Sequence, residues 1–215
     1  MKILKKSIVV ILSFALLFAT SCLNVKDTPQ KHVSQIRTDI FFGESDEISA
    51  FVYAEKRESP FLSDNHTGEL KTCLVIRIPL QAEKLSCNVS YLNNSYDCVL
   101  TYDNVTSCLT ATVQVNKLPD KSISLSFNDK TLILNSMLKS DSITPKQALN
   151  HVIKAEQKFV SSLYSGDKFN AEVYIRLLFE GEYNYYYVGF AQSDKITAFL
   201  LDAKNGEIIA GRTSA

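Results

Sequence analysis

The sequence predicts an all-β sandwich followed by a small α+β domain, one helix on a three- to four-stranded antiparallel sheet. Three observations predict this. From Ile36 to about Lys139 the chain runs in short segments where apolar and polar residues alternate, the period of strands with one buried face. Near Ser140 apolar residues begin to recur three and four apart, the period of an amphipathic helix. Beyond Gly166 the two-residue alternation returns.

In the first region, residues 36–42 and 48–53 are short β-rich runs, and 72–80 is almost continuously apolar, as a central strand would be. Three alternating segments follow. Leu85, Cys87, Val89 and Tyr91 share one face, as do Tyr96, Cys98, Leu100 and Tyr102, and then Leu109, Ala111, Val113 and Val115. Asn93-Asn94 and Asp103-Asn104 lie between these segments as turn formers. Ile123, Leu125 and Phe127 alternate again, and 131–134 reads as a last strand. About eight short strands in about 100 residues favour a sandwich, with an immunoglobulin-like or fibronectin-like topology as the expectation. The chain has no Trp and no inter-sheet Cys spacing, which argues against an antibody-type domain.

The second region opens at Thr144-Pro145, a suitable N-cap and first helical residue. Leu149, Val152, Ile153, Phe159, Val160 and Leu163 form one apolar stripe, and Gly166 is expected to stop the helix. Val173, Ile175, Leu177 and Phe179 then face one way, and Glu172, Tyr174, Arg176 and Glu180 the other. Gly181 turns the chain into a tyrosine-rich strand. There Tyr183, Tyr185 and Tyr187 share a face and Tyr186 takes the opposite one. One set is expected under the helix. The exposed set is a candidate partner surface, since Tyr joins contact area to a polar tip, with ordinary sheet packing as the alternative. Asn205-Gly206 is a tight-turn signal, and Asp202 is expected to hydrogen-bond its own turn.

Ala148-Leu149, Val152 to Ala155, the Tyr185–Phe190 strand, and Leu201-Asp202-Ala203 leading to Gly206-Glu207-Ile208-Ile209 together resemble a PepSY domain. The resemblance covers about a third of the chain and includes no catalytic group. It implies an exported bacterial protein with a protein-binding or protease-inhibitory role.

The amino terminus has Lys2, Lys5 and Lys6, an apolar core from Ile8 to Phe18, and then Ala19-Thr20-Ser21-Cys22. A basic start, a short apolar run and small residues form a secretory signal. A core of about 11 residues is too short for a bilayer span, which needs about 20. The run resembles the lipobox of bacterial lipoproteins, with Ala19 where Leu is commonest. That resemblance makes Cys22 the lipid-attachment residue and implies an extracytoplasmic protein anchored in the bacterial cell membrane. The expected organisation is a signal peptide at 1–21, a lipidated tether at 22–35, the sandwich at 36–139 and the PepSY-like domain at 140–215.

Charge excludes one class of partner. The chain carries 23 basic and 23 acidic residues, and losing Lys2, Lys5 and Lys6 leaves it slightly acidic. With no basic stripe to neutralise phosphates, nucleic acid is not expected. Beyond Cys22 stand Cys73, Cys87, Cys98 and Cys108. Their spacings fit no metal site. One or two disulfides suit an exported chain, and buried free thiols fit equally. Cys87 and Cys98 share inward parity on adjacent strands, which slightly favours that bridge. His32, His66 and His151 are isolated on a tether, a loop and a helix, so neither a metal nor a cofactor is expected. The long loop from Lys56 to Leu70 is a further candidate partner contact.

No catalytic constellation emerges. The leading expectation is a non-enzymatic envelope lipoprotein that binds another envelope protein or a peptide. The alternatives are protease inhibition through the PepSY-like domain and ligand or glycan binding by the β-sandwich.

Overall fold

The computed structural model describes residues 27–60 and 67–214. Cys22, the signal sequence and the middle of the loop after residue 60 lie outside them. Eight strands come first: β1 (Val33–Glu44), β2 (Ser49–Glu58), β3 (Leu70–Ile78), β4 (Lys84–Tyr91), β5 (Asn94–Asp103), β6 (Cys108–Gln114), β7 (Ser122–Phe127) and β8 (Lys130–Ser136). They pair in the order β1-β2-β3-β6-β5-β4-β7-β8, and β8 returns to β1. The result is a closed antiparallel barrel.

This overturns the sandwich expectation. Period-2 alternation says that one face of each strand is buried, and a sandwich and a barrel bury that face alike. What distinguishes them is closure, here the pairing of Phe41 with Ser136 and Phe42 with Asn135. Beside it, Met137 N–H donates to Ile40 O at 2.8 Å. Eight strands leave an interior that side chains just fill. Phe41, Val52, Leu74, Ile76, Ile78, Val89, Leu100, Leu109, Leu125 and Leu134 fill it, each nearly or fully inaccessible.

Gly43 makes the seam possible. A Cβ built there would lie 3.1 Å from the Ile133 carbonyl carbon and 3.2 Å from Leu134 Cα, and closer still to the Ile133 oxygen. Ser136 Oγ also donates to Asp39 Oδ2 at 2.7 Å, tying β8 to β1. Burial raises the Asp39 carboxyl above the ordinary carboxylate range, against the lowering effect of that hydrogen bond.

The C-terminal part is not a detached α+β domain either. It comprises α1 (Pro145–Ala155), α2 (Gln157–Ser162), the two-residue strands β9 (Tyr164–Ser165) and β10 (Lys168–Phe169), then β11 (Glu172–Glu180), β12 (Tyr183–Gln192), β13 (Lys195–Asp202) and β14 (Ile208–Ser214). β11 joins the first half of β1 in parallel, with Ile36 opposite Ile175 and Arg37 opposite Arg176. β12, β13 and β14 then continue the same sheet. β1 thus pairs along one edge with β11 and then, past a register shift between Arg37 and Asp39, with β8. Residues 27–35, read from sequence as the end of a tether, form a 3-10 turn (Pro29–His32) and the start of β1. Asp27 anchors them, accepting from Phe169 N–H at 2.8 Å and contacting the His32 ring at 2.8 Å.

Thr144 caps α1 reciprocally. Its hydroxyl accepts from Gln147 N–H at 3.3 Å, and the Gln147 side chain accepts from Thr144 N–H at 2.8 Å. The single helix expected to run to Gly166 instead breaks at Glu156, and Gly166 lies in the turn between β9 and β10. Leu149, Val152 and Val160 pack on Val173, Ile175, Tyr186, Val188 and Phe199, forming a second core. Tyr186 is the tyrosine under the helix; its hydroxyl donates to Ile143 O at 2.9 Å, and burial pushes its pKa up to about 12. Asp202 organises the last turn by accepting from Lys204 N–H at 2.6 Å. Gly206, at φ 75°, lets the His151 ring of α1 close over the turn.

Candidate functional site: an arginine–tyrosine face and its cleft

The face of the outer sheet turned away from the helices is continuous with the outside of the barrel. Register places Gln35 beside Tyr174, Arg37 beside both Glu55 and Arg176, and Arg176 beside Tyr187. Two guanidiniums on neighbouring strands would repel, and a buried polar relay separates them. Arg176 Nε donates to Gln35 Oε1 at 2.6 Å, Gln35 Nε2 donates to Glu55 Oε2 at 2.7 Å, and Arg37 Nε donates to Glu55 Oε1 at 2.7 Å. Glu55 is 1 % exposed, so its charge depends on these donors rather than on water. Burial, and then the positive charge of Arg37, pulls the Arg176 guanidinium below its usual value.

Aromatic rings interleave with the guanidiniums. Arg37 stands 4.0 Å from the centre of the Tyr53 ring, and Arg77 approaches the same ring at 5.3 Å. Arg176 lies 5.4 Å from the Tyr174 ring and 5.6 Å from that of Tyr187. Such stacking stabilises each pair by roughly 0.5–2 kcal/mol. Tyr187 holds its place because Gly189, two residues on, leaves the space its ring occupies. Phe42, Phe51 and Tyr53 continue the aromatic row on the barrel wall.

Where the outer sheet leaves the barrel, this face folds into a cleft of about 320 Å³. Ile40, Phe51 and Tyr53 form the barrel side; Leu178, Tyr185 and Leu200 form the sheet side. Arg37 and Glu180 are its charged groups. Tyr183, 65 % exposed, stands at the margin with its ring 6.5 Å from that of Tyr185.

The structure therefore brings Tyr183, Tyr185 and Tyr187 to one face, but gives them different surroundings. Tyr185 lines the cleft, Tyr183 stands exposed at its margin, and Tyr187 is committed to Arg176. Cys87 and Cys98 are directly opposite each other on β4 and β5. Cys22 and the middle of the loop after Glu58 fall outside the described residues. Among the described residues no group of three or more His, Cys, Asp or Glu side chains is placed to hold a metal, and no helix is long and apolar enough to cross a membrane.

Sequence reasoning missed Arg37, Phe51, Tyr53, Leu178 and Leu200. A signal for two of them is present. On β2, Ala50, Val52 and Ala54 point inward, leaving the large Phe51 and Tyr53 on the supposed solvent side. Two big aromatics outside a strand of small inner residues imply a second layer against that wall.

No family model, curated protein or solved structure matches the chain. The site's own chemistry is what speaks for its use.

Proposed function

We propose that this protein is a non-enzymatic cell-envelope lipoprotein, anchored through Cys22, whose cleft holds an apolar side chain from a peptide or an envelope protein. The observation that carries the reading is the lining of the cleft. Ile40, Phe51, Tyr53, Leu178, Tyr185 and Leu200 offer an apolar, aromatic slot between two rigid strand layers, with Arg37 at its wall. Such a slot suits an aliphatic or aromatic anchor, and the exposed Tyr183 beside it can contact the flanking backbone. Arg37 is fixed by Glu55 and stacked on Tyr53, so an acidic group next to the anchor would meet a pre-positioned cation.

The mature protein, immobilised and exposed to detergent-solubilised envelope, is expected to retain a defined partner. Tyr53→Ala and Tyr185→Ala should each reduce that retention by about tenfold or more, the loss of one buried aromatic anchor. Tyr96→Ala, on the far side of the barrel, should not. Equal retention by all four proteins would remove the cleft from the reading.

A second reading, ligand or glycan binding, is favoured by one feature. Tyr183 and Tyr185 present neighbouring rings, tilted 37° to each other, at an open margin. A sugar that protected Tyr185 but not Tyr96 from modification would select it.

Anchoring carries its own test. Globomycin or Cys22→Ser should leave the precursor unprocessed. Unchanged maturation of the Ser variant would refute lipid attachment at that residue.

A further inference from the structure

The barrel holds chemistry away from the cleft. Cys87 and Cys98 face each other directly across β4 and β5, and their sulfurs lie 2.8 Å apart. Cys87 is buried in the barrel and Cys98 half-buried. Both residues border a shallow depression that Asn88, Asp97, Val99 and Ser126 also line, and Cys98 is the less buried of the two. The other two thiols stand apart: Cys73 is opposite Gln114 on β3, and Cys108 Sγ donates to Thr106 O at 3.3 Å.

We propose that Cys87 and Cys98 are a dithiol–disulfide site, oxidised by thiol–disulfide exchange with Cys98 as the attacking sulfur. Register, reach and access support the pairing. Directly opposed residues on antiparallel strands bring their Cβ atoms within the range of a bridge without moving the backbone far. The two sulfurs are also unequal. The hydrogen bond that the two sulfurs share holds the Cys98 thiol below its usual pKa; the same bond, and then burial, drive Cys87 up. The thiolate is the nucleophile, so the more accessible sulfur is also the readier one.

The exchange balances. The Cys98 thiolate attacks one sulfur of a disulfide donor, the donor S–S bond breaks, and one thiolate leaves. Cys87 gives up its proton and attacks Cys98 Sγ in the mixed disulfide, and the second thiolate leaves. The two departing thiolates take the two protons that the cysteines lost. The protein dithiol is oxidised to one disulfide, and the donor is reduced to two thiols.

The test uses reduced, folded mature protein treated with oxidised glutathione at neutral pH, then alkylated, digested and mapped by mass spectrometry. The expected product is one Cys87–Cys98 link, with Cys73 and Cys108 still alkylated. Cys87→Ser, which keeps a hydrogen-bonding hydroxyl beside Cys98, is expected to trap a glutathione adduct on Cys98, and Cys98→Ser to form its adduct on Cys87 at least about tenfold more slowly. Four alkylated thiols in the treated wild type, or a link through Cys73 or Cys108, would overturn the site. Equal adduct rates in the two variants would overturn Cys98 as the attacking sulfur. The wild-type map decides the pairing even if a variant folds poorly.

Discussion

Glu55→Ala is expected to lower the unfolding free energy by about 3–5 kcal/mol, the cost of removing one partner from a buried ion pair. The carboxylate is 1 % exposed and accepts from Arg37 and Gln35, both at 2.7 Å. Its loss would leave Arg37 beside Arg176 with no compensating charge between them, and Gln35 would hold only its contact with Arg176. Ordinary truncation of a surface Glu would cost far less, within about 0.5 kcal/mol. A double replacement separates burial from pairing. Arg37→Met with Glu55→Leu puts apolar groups of similar size in place of both charges, and should recover much of the loss, because such exchanges are often neutral or favourable. Urea unfolding of the wild type, Glu55→Ala and the double replacement measures this directly. A Glu55→Ala penalty under about 1 kcal/mol would mean that the relay contributes little. The same variant should weaken partner retention by the cleft, since Arg37 would lose the group that fixes it. Arg37→Met with Glu55→Leu should restore stability without restoring retention of an acidic partner. That contrast distinguishes a relay that positions a binding cation from one that only holds strands together.

Strand positions are legible in this sequence because each apolar residue on an alternating run has a core to enter. Leu85, Cys87 and Val89 enter the barrel interior as their parity requires, and Val173, Ile175 and Leu177 enter the layer under the helices. The tyrosine faces are legible for the same reason: Tyr186 is buried, and Tyr183, Tyr185 and Tyr187 take the other side. Closure is not legible. Nothing in Phe41, Phe42, Asn135 or Ser136 announces that strands almost a hundred residues apart will pair. The parallel junction of β1 with β11 is hidden too, because Val33, Ser34 and Gln35 look like the end of a polar tether until a partner strand covers them. The cleft inherits that blindness. Its two walls come from β1–β2 and β11–β13, so it exists only once β1 is shared between the barrel and the outer sheet. Glu55 and Arg37 read as ordinary surface charges, since burial of a charge is decided by tertiary pairing rather than by local pattern. Edge strand β14 is weakly marked beyond Ile209, because its residues bury little and alternate with nothing.

Gly43→Ala is expected to lower stability by about 3 kcal/mol, the upper end of the overpacking range, because the new methyl meets backbone rather than a movable side chain. The carbonyl of Ile133 and the Cα of Leu134 occupy the place where that methyl would stand. Relief requires β1 and β8 to separate, and their separation opens the barrel at its shortest pairing, two residue pairs long. The damage should therefore be local before it is global. Amide exchange at Met137, whose N–H donates to Ile40 O, should accelerate, and the Ser136–Asp39 hydrogen bond should weaken with it. Amides between β12 and β13, paired over eight residues on the far side of the sheet, should keep their protection until the whole molecule unfolds. An opened seam also exposes two unpaired strand edges, so the variant should associate through them at concentrations where the wild type does not. A Gly43→Ala protein within about 0.5 kcal/mol of wild type, the range of an innocuous surface change, with unaltered exchange at Met137, would show that the barrel does not depend on tight closure. A sheet curled around the same core but open at that edge would then describe the molecule better. Loss of stability confined to the seam would instead make Gly43 the residue that lets an alternating β sequence close on itself.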